Sequence, residues 1–126
     1  MLLKKIQAAI RGAEQPPSLG DLAKSLGVPL RSLDAFVKRL TKLGFLARAG
    51  DHRVLLPDQL DAFVAIAQRL AEAQPSGFDA KQFRDAAGIG RNLAIDVLEY
   101  FDRCGFTRRY ADVRRIVGAP STVHRA

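Results

Sequence analysis

Residues 79–117 read DAKQFRDAAGIGRNLAIDVLEYFDRCGFTRRYADVRRIV, and an earlier stretch repeats their pattern. That stretch, residues 18–56, reads SLGDLAKSLGVPLRSLDAFVKRLTKLGFLARAGDHRVLL. The shift between them is 61 positions and carries Leu43-Gly44-Phe45 onto Cys104-Gly105-Phe106. A repeat of this length exceeds one helix pair of a solenoid and is long enough for a small domain. The sequence therefore predicts two tandem copies of one compact fold.

Each copy has three helical patterns followed by a hairpin pattern. Apolar residues recur at helical spacing in a first helix, and a cap signature at Ser18 or Asp79 opens a second. The third helix, from about residue 29 to 43 and from about residue 91 to 104, ends at a glycine. Short alternating segments then predict two antiparallel strands. This order is the winged-helix form of the helix-turn-helix, so we predict a mainly helical α+β fold with two tandem winged-helix domains.

The domain boundaries follow from the same pattern. Residues 1–57 form the first predicted winged-helix domain, and residues 58–118 form the second. Residues 119–126 contain Ala, Pro, Ser and Thr without periodicity, which predicts a disordered tail.

The overall composition points to an anionic partner. The 126 residues carry a net charge of +7, and the isoelectric point is near 10.2. Such a balance favours nucleic acid. The apolar runs are too short to span a membrane, and a single cysteine suits a reducing compartment. We therefore expect a cytoplasmic protein that does not contact the membrane.

The positive charge is unevenly distributed between the two copies. Residues 1–57 carry ten Lys or Arg against four Asp or Glu. Residues 58–126 carry ten against nine, yet six of those ten bases lie between Arg103 and Arg125 with only Asp112 opposing them. The second copy is therefore nearly neutral but polarised, although scattered surface charge on a soluble domain is the alternative interpretation.

Nothing in the sequence predicts an enzyme. The chain has two histidines, His52 in a predicted turn and His124 in the predicted tail, and neither has a plausible partner for metal binding or acid–base chemistry. There is no Gly-rich phosphate loop followed by Lys and Ser or Thr. We therefore expect a binding module without a cofactor, a metal site or catalytic residues.

The start of the second copy's third helix is the first candidate site. Gly90, Arg91 and Asn92 offer free backbone amides, the positive end of a helix dipole and two hydrogen-bonding side chains. The body of that helix carries Asp96, Glu99 and Asp102, which would repel the phosphates of a duplex laid along it. The helix tip, rather than the helix face, is therefore predicted to receive phosphates or base edges.

The second hairpin reinforces this prediction. It carries four guanidinium groups and a tyrosine that could stack on an unpaired base. Lys81 and Arg84 on the second helix extend the candidate set. A solvated hairpin is the alternative for the arginines, and packing against the hairpin is the alternative for the tyrosine. The predicted nucleic-acid contacts of the hairpin are Arg108, Arg109, Tyr110, Arg114 and Arg115.

Residues 78–117 resemble the last winged-helix domain of the bacterial selenocysteine-specific translation elongation factor, the SelB family. The resemblance rests on Phe83-Arg84-Asp85, Gly90-Arg91-Asn92, Leu98-Glu99-Tyr100-Phe101-Asp102 and Gly105-Phe106-Thr107-Arg108-Arg109. Residues 1–57 are similar to the preceding winged helix of that family in position and fold.

This resemblance implies a fragment of a larger factor and an RNA-binding role for residues 58–118. The last winged helix of the family binds a stem-loop in selenoprotein mRNA, the selenocysteine insertion element, and directs recoding of UGA. Arg91 matches the arginine that contacts the RNA loop, whereas Asn92 replaces a frequent lysine. The implied partners are the mRNA stem-loop, the ribosome, and the GTPase and tRNA-binding domains of the parent factor, with the chain itself a monomer. A DNA-binding transcription regulator and a protein-docking module are the alternatives.

Overall fold

The computed structural model describes residues 2–50 and 52–124. These residues contain six α-helices, five short β-strands and one 3₁₀ helix. The mainly helical α+β class predicted from the sequence is confirmed. The chain divides into two compact units, Met1–Pro57 and Asp58–Ala126. None of the described helices combines the length and the apolar character that crossing a membrane requires.

The first unit has three helices followed by a two-stranded sheet. The Ser18 hydroxyl caps α2 by accepting a hydrogen bond from the Asp21 amide at 3.0 Å. Apolar side chains from all three helices, among them Ile6, Leu22 and Leu33, fill the core. The elements are α1 (Leu2–Gly12), α2 (Leu19–Leu26), α3 (Leu30–Lys42), β1 (Ala47–Ala49) and β2 (Arg53–Leu55).

The second unit repeats this order with a longer hairpin and an added strand. Its three strands form one antiparallel sheet in the order β3-β5-β4. The elements are α4 (Pro57–Ala73), β3 (Phe78–Asp79), α5 (Ala80–Ala87), α6 (Arg91–Cys104), β4 (Thr107–Tyr110), β5 (Val113–Ile116) and the 3₁₀ helix (Pro120–His124).

Caps and aromatic packing hold the second unit in place. Asp79 and Gln82 form the predicted capping box, since the Asp79 carboxylate accepts from the Gln82 amide at 2.7 Å and the Gln82 side chain accepts from the Asp79 amide at 2.8 Å. Phe83 packs at ring distances of 6.0–6.4 Å against three other aromatic rings in the core. These contacts fix the start of α5 and the position of α6 against the core. The two helices border the site described below.

The prediction of a disordered tail is wrong for residues 119–124. Residues Pro120–His124 form the 3₁₀ helix, and the Val123 side chain is fully buried. The Tyr100 hydroxyl donates a hydrogen bond of 2.6 Å to the Val123 carbonyl, and the His124 ring lies 2.7 Å from the Asp61 carboxylate. Burial of one apolar side chain and a satisfied buried carbonyl order this segment despite its loop-like composition. Residues 125–126 lie outside the described residues.

Candidate nucleic-acid interface

An open groove in the second unit lies between α5, α6 and the hairpin of β4 and β5, which we call the wing. Its volume is about 570 Å³. α5 contributes two cations, the first turn of α6 contributes one, and the wing contributes two. The groove thus brings together five of the ten predicted site residues, Lys81, Arg84, Arg91, Arg109 and Arg114.

The tip of α6 at the groove has the open geometry predicted from the sequence. Gly90 is the N-cap residue, with extended backbone angles and no side-chain capping hydrogen bond. The first amides of α6 therefore have no side-chain acceptor, and the helix dipole adds positive potential there. Arg91 and Asn92 follow at once and are both exposed. This tip can donate hydrogen bonds to an anion or to a base edge.

One predicted wing contact has a different role. Arg114 is only 6% exposed, and its guanidinium donates to the Asp102 carboxylate of α6 at 3.0–3.3 Å. Thr107 donates its hydroxyl to the same carboxylate at 2.6 Å. The prediction that Arg114 presents a surface charge is therefore corrected, because its charge is already paired. The same contacts show that Asp102, which was expected to repel phosphates along the body of the helix, is already paired with Arg114.

Asp102 instead fixes the wing to α6, the third helix of the unit, which in a helix-turn-helix fold is called the recognition helix. It accepts hydrogen bonds from β4 through Thr107 and from β5 through Arg114, so both strands are tied to α6. Charge-assisted hydrogen bonds of this kind are stronger and more directional than neutral ones. This link holds the wing against α6, and Arg109 of the wing and Arg91 of α6 both line the groove.

Two carboxylates remain at the groove after Asp79 and Asp102 are accounted for. Glu99 on α6 is exposed, as predicted, and Asp112 lies in the turn of the wing. Neither forms an ion pair in the part of the chain that the structure describes. Sequence reasoning did not assign Asp112 to this site, and the pairing of β4 with β5 is what places it there.

The two cations that α5 contributes to the groove are accessible. Lys81 is exposed, and Arg84, with 34% of its side chain exposed, donates to the neighbouring Asp85 carboxylate at 3.1 Å. A surface pair of this kind contributes little to stability and can be exchanged for a phosphate. Both side chains are therefore available to an anion in the groove.

Three of the predicted wing residues face away from the groove. Side chains alternate along a strand, and Arg108 pairs with Arg115 on the opposite strand. The Arg115 guanidinium lies 4.7 Å from the centre of the Tyr110 ring, a cation–π contact, and its Nε donates to the Ser76 carbonyl at 2.9 Å. We call the surface of Arg108, Tyr110 and Arg115 the outer wing face.

The first unit has a basic helix surface of its own. Arg31, Lys38, Arg39 and Lys42 on α3 are all exposed. Asp34 accepts hydrogen bonds or ion pairs from Lys38 at 3.2 Å and from Arg48 at 3.1 Å. The hydrogen bond from Lys38, reinforced by the charges of Lys38 and Arg48, lowers the pKa of Asp34 below its usual value. The N-cap of α3 is Pro29, so this tip lacks the glycine and arginine found on α6.

Metal-ligating side chains do not cluster at the groove in the described part of the chain. Within residues 2–50 and 52–124, no group of three or more His, Cys, Asp or Glu side chains could hold a metal ion. Burial raises the pKa of the Cys104 thiol, which keeps that side chain in its neutral form. The described groups at the site are cations, amides and two free carboxylates.

The fold and the groove define a class of protein: a winged-helix protein with a cationic, open groove at the tip of its recognition helix. The family "Elongation factor SelB, winged helix" matches residues 69–116. Residues 69–116 are thus similar to the winged-helix domains of that family. The resemblance inferred from the sequence motifs is thereby confirmed.

Two curated relatives extend the match. The selenocysteine-specific elongation factor of Escherichia coli (strain K12) is 33% identical over 96 residues, which cover 76% of this chain and 16% of that relative. The selenocysteine-specific elongation factor of Haemophilus influenzae is 32% identical over 89 residues, covering 71% of this chain and 14% of that relative. The chain therefore spans about a sixth of the length of the curated relatives that it matches.

Two solved structures share the fold. The mRNA-binding domain of elongation factor SelB from E. coli, solved in complex with SECIS RNA, has a TM-score of 0.79 at 28% identity and covers 91% of this chain and 98% of that chain. A bacterial selenocysteine-specific elongation factor, EF-Sec, has a TM-score of 0.73 at 22% identity over 92% of this chain and 18% of that chain. The second likeness concerns the fold alone.

Proposed function

We propose that this chain is the RNA-binding C-terminal part of a selenocysteine-specific elongation factor, recognising an mRNA stem-loop to direct recoding of UGA. One observation carries the proposal: the likeness to the E. coli mRNA-binding domain, solved with SECIS RNA, extends over nearly all of both chains. The cationic groove at the tip of α6 supplies a chemistry that suits RNA.

The groove suits a folded RNA loop better than a long straight duplex. The free amides of the α6 tip and Arg91 can bind phosphates or base edges of a loop. Along the body of α6, Glu99 would meet the phosphates of a duplex laid in parallel with the helix. We infer that Arg91, Asn92 and the amide at Gly90 contact the loop, while Lys81, Arg84 and Arg109 bind its phosphates.

The domain organisation is part of the same proposal. Residues 1–57 and 58–118 are two tandem winged-helix domains, the second of which binds the RNA. The GTPase and tRNA-binding domains belong to the parent factor outside this chain, so the chain itself acts as a binding module without catalysis. It works as a monomer in the cytoplasm, next to the ribosome.

Replacement of Arg91 tests the proposal. Arg91→Ala should weaken binding of the SECIS RNA hairpin by about 1–3 kcal/mol, or roughly fivefold to 150-fold, the range of a good specific base contact. Arg69→Ala, an exposed arginine on α4 outside the groove, is the matched control and should change the affinity little. A filter-binding titration in which both variants bind like the original chain would reject the role of the α6 tip.

A second candidate is a DNA-binding regulator, favoured by the four exposed cations of α3 in the first unit. Such a protein would place α3 in the major groove of duplex DNA. Competition between the SECIS RNA hairpin and a perfect DNA duplex at equal salt separates the two functions, since affinities of this kind depend strongly on ionic strength. Preference for the DNA duplex would favour the regulator.

A further inference from the structure

The wing carries cations on both of its faces, but the two faces point in opposite directions. Residues that pair across β4 and β5 share a face, and successive residues alternate. Thr107 and Arg114 lie on the inner face, where both hydrogen-bond to Asp102 of α6. Arg108 and Arg115 therefore lie on the outer wing face, away from the groove.

The link through Asp102 prevents the wing from turning its outer face toward the groove. The Arg114 guanidinium is buried and paired, so the hairpin cannot rotate about its own axis without breaking that contact. A loop held at the α6 tip thus meets Arg109 but not Arg108. Contacts to the outer wing face require a second segment of the ligand.

The outer wing face has an uncompensated charge. Arg108 and Arg115 are directly opposite each other in the sheet register, and both are exposed. Like charges in this position destabilise a sheet. No carboxylate forms an ion pair with either guanidinium among the described residues. The arrangement costs stability in the free protein, and an anion bound across both groups would remove that cost.

The chemistry of the face favours phosphates over bases. The Arg115 guanidinium covers one side of the Tyr110 ring at 4.7 Å, which leaves less of the ring for stacking with a base. The exposed fraction of Tyr110 is 39%. Two neighbouring guanidinium groups on adjacent strands can each donate to a phosphate oxygen, with bidentate geometry.

We propose that the outer wing face binds the phosphate backbone of a double-stranded RNA segment, separate from the loop held in the groove. The inference rests on the proposed function in that the partner is taken to be RNA. The groove and the outer wing face then form two contacts, one to the loop and one to a stem. Such a stem belongs either to the same hairpin or to a second RNA.

Three probes distinguish these contacts in fluorescence-anisotropy titrations. The first is a perfect RNA duplex of about 16 base pairs, a length typical of double-stranded-RNA recognition. The second is the SECIS RNA hairpin cut back to its loop and the adjoining base pairs, and the third is the same hairpin on a long stem. The tested variants are R108Q/R115Q on the outer wing face and Arg91→Ala at the groove. R69Q/R103Q removes two exposed arginines elsewhere in the second unit and serves as the charge-matched control.

R108Q/R115Q should weaken duplex binding severalfold and reduce the slope of log affinity against log salt by about 2, since each phosphate contact contributes roughly 0.9. Arg91→Ala and R69Q/R103Q should leave the duplex slope nearly unchanged. With the short hairpin, Arg91→Ala should weaken binding more than R108Q/R115Q does, because only the groove contacts that RNA. If R108Q/R115Q weakens the long-stem hairpin but not the short one, the stem belongs to the same RNA; if it weakens only the free duplex, the stem belongs to a second RNA.

Two results would overturn the inference. One is duplex binding by R108Q/R115Q that equals that of R69Q/R103Q. The other is that R108Q/R115Q loses as much affinity for the short hairpin as Arg91→Ala does, which would mean that the outer wing face contacts the loop. Failure of the original chain to prefer the SECIS hairpin over the duplex would refute the proposed function, and the duplex arm would still decide the role of the outer wing face.

Discussion

Replacing Asp102 with alanine should lower the free energy of unfolding of the second unit more than any single surface substitution does. The substitution removes the acceptor of the Arg114 guanidinium and of the Thr107 hydroxyl. Arg114 is 6% exposed, so its charge would be left buried without a partner. The change acts on stability rather than on a residue proposed to touch RNA.

The expected magnitude follows from the burial of the two partners. Breaking a buried ion pair by removing one member costs about 3–5 kcal/mol. The Asp102 side chain is 27% exposed, so water can partly replace it, and we expect a value near the lower limit of about 3 kcal/mol. Asp102→Asn retains one acceptor oxygen and should cost about 1–2 kcal/mol.

Urea unfolding followed by far-ultraviolet circular dichroism measures this loss, because the chain contains no tryptophan. Amide exchange of β5 and α6 by NMR assigns the loss to the second unit. The double variant D102A/R114M is the control. It removes the buried charge together with its partner and should recover most of the stability, since apolar replacement of a whole buried pair is often nearly neutral.

Two outcomes would refute the reasoning. A cost below about 1 kcal/mol for Asp102→Ala would mean that the pair behaves as a surface salt bridge. A double variant as unstable as the sum of the two single variants would mean that no buried charge had been stranded.

Three further predictions concern other groups. NMR titration should give Asp34 a pKa below the ordinary value of an aspartate, and Lys38→Ala should raise that pKa. The stabilising contribution of this carboxylate is present above its unfolded pKa and is lost as the pH falls through the lowered folded value. Glu99→Gln should increase affinity for duplex DNA about twofold to fivefold in a gel-shift titration, since one exposed repulsion is removed, and an unchanged affinity would show that α6 does not approach the duplex. Tyr100→Phe should leave the Val123 carbonyl unsatisfied and cost about 1–3 kcal/mol by thermal unfolding, with faster proteolysis after residue 118, whereas equal protease resistance would contradict the anchoring role.

Much of the fold could be predicted because local signals are strong and agree. The capping box at Asp79 and Gln82 and the glycine after each third helix set the helix ends, and the structure has helices at those places. Because the unit occurs twice, each of these signals appears in both copies. The open tip at Gly90 was predictable for the same reason, since a glycine N-cap is a property of a few adjacent residues.

The burial of Arg114 could not be predicted because it depends on tertiary contacts. Four arginines on a hairpin look alike in sequence, and the strand register together with the position of Asp102 decides which one is buried. The same holds for the 3₁₀ helix. Its composition is that of a loop, and only the acceptor at Val123 and the donor at Tyr100, 23 residues apart, reveal that it is ordered.

The anchoring of the last described turn has a practical consequence for binding measurements. Tyr100 lies nine residues after Arg91, which at 3.6 residues per turn puts the two side chains on opposite sides of the helix. The segment that ends at His124 therefore packs behind the recognition helix. A fluorophore or an affinity handle attached to this segment would lie far from the α6 tip, so labelled protein should report binding at that proposed site without obstructing it.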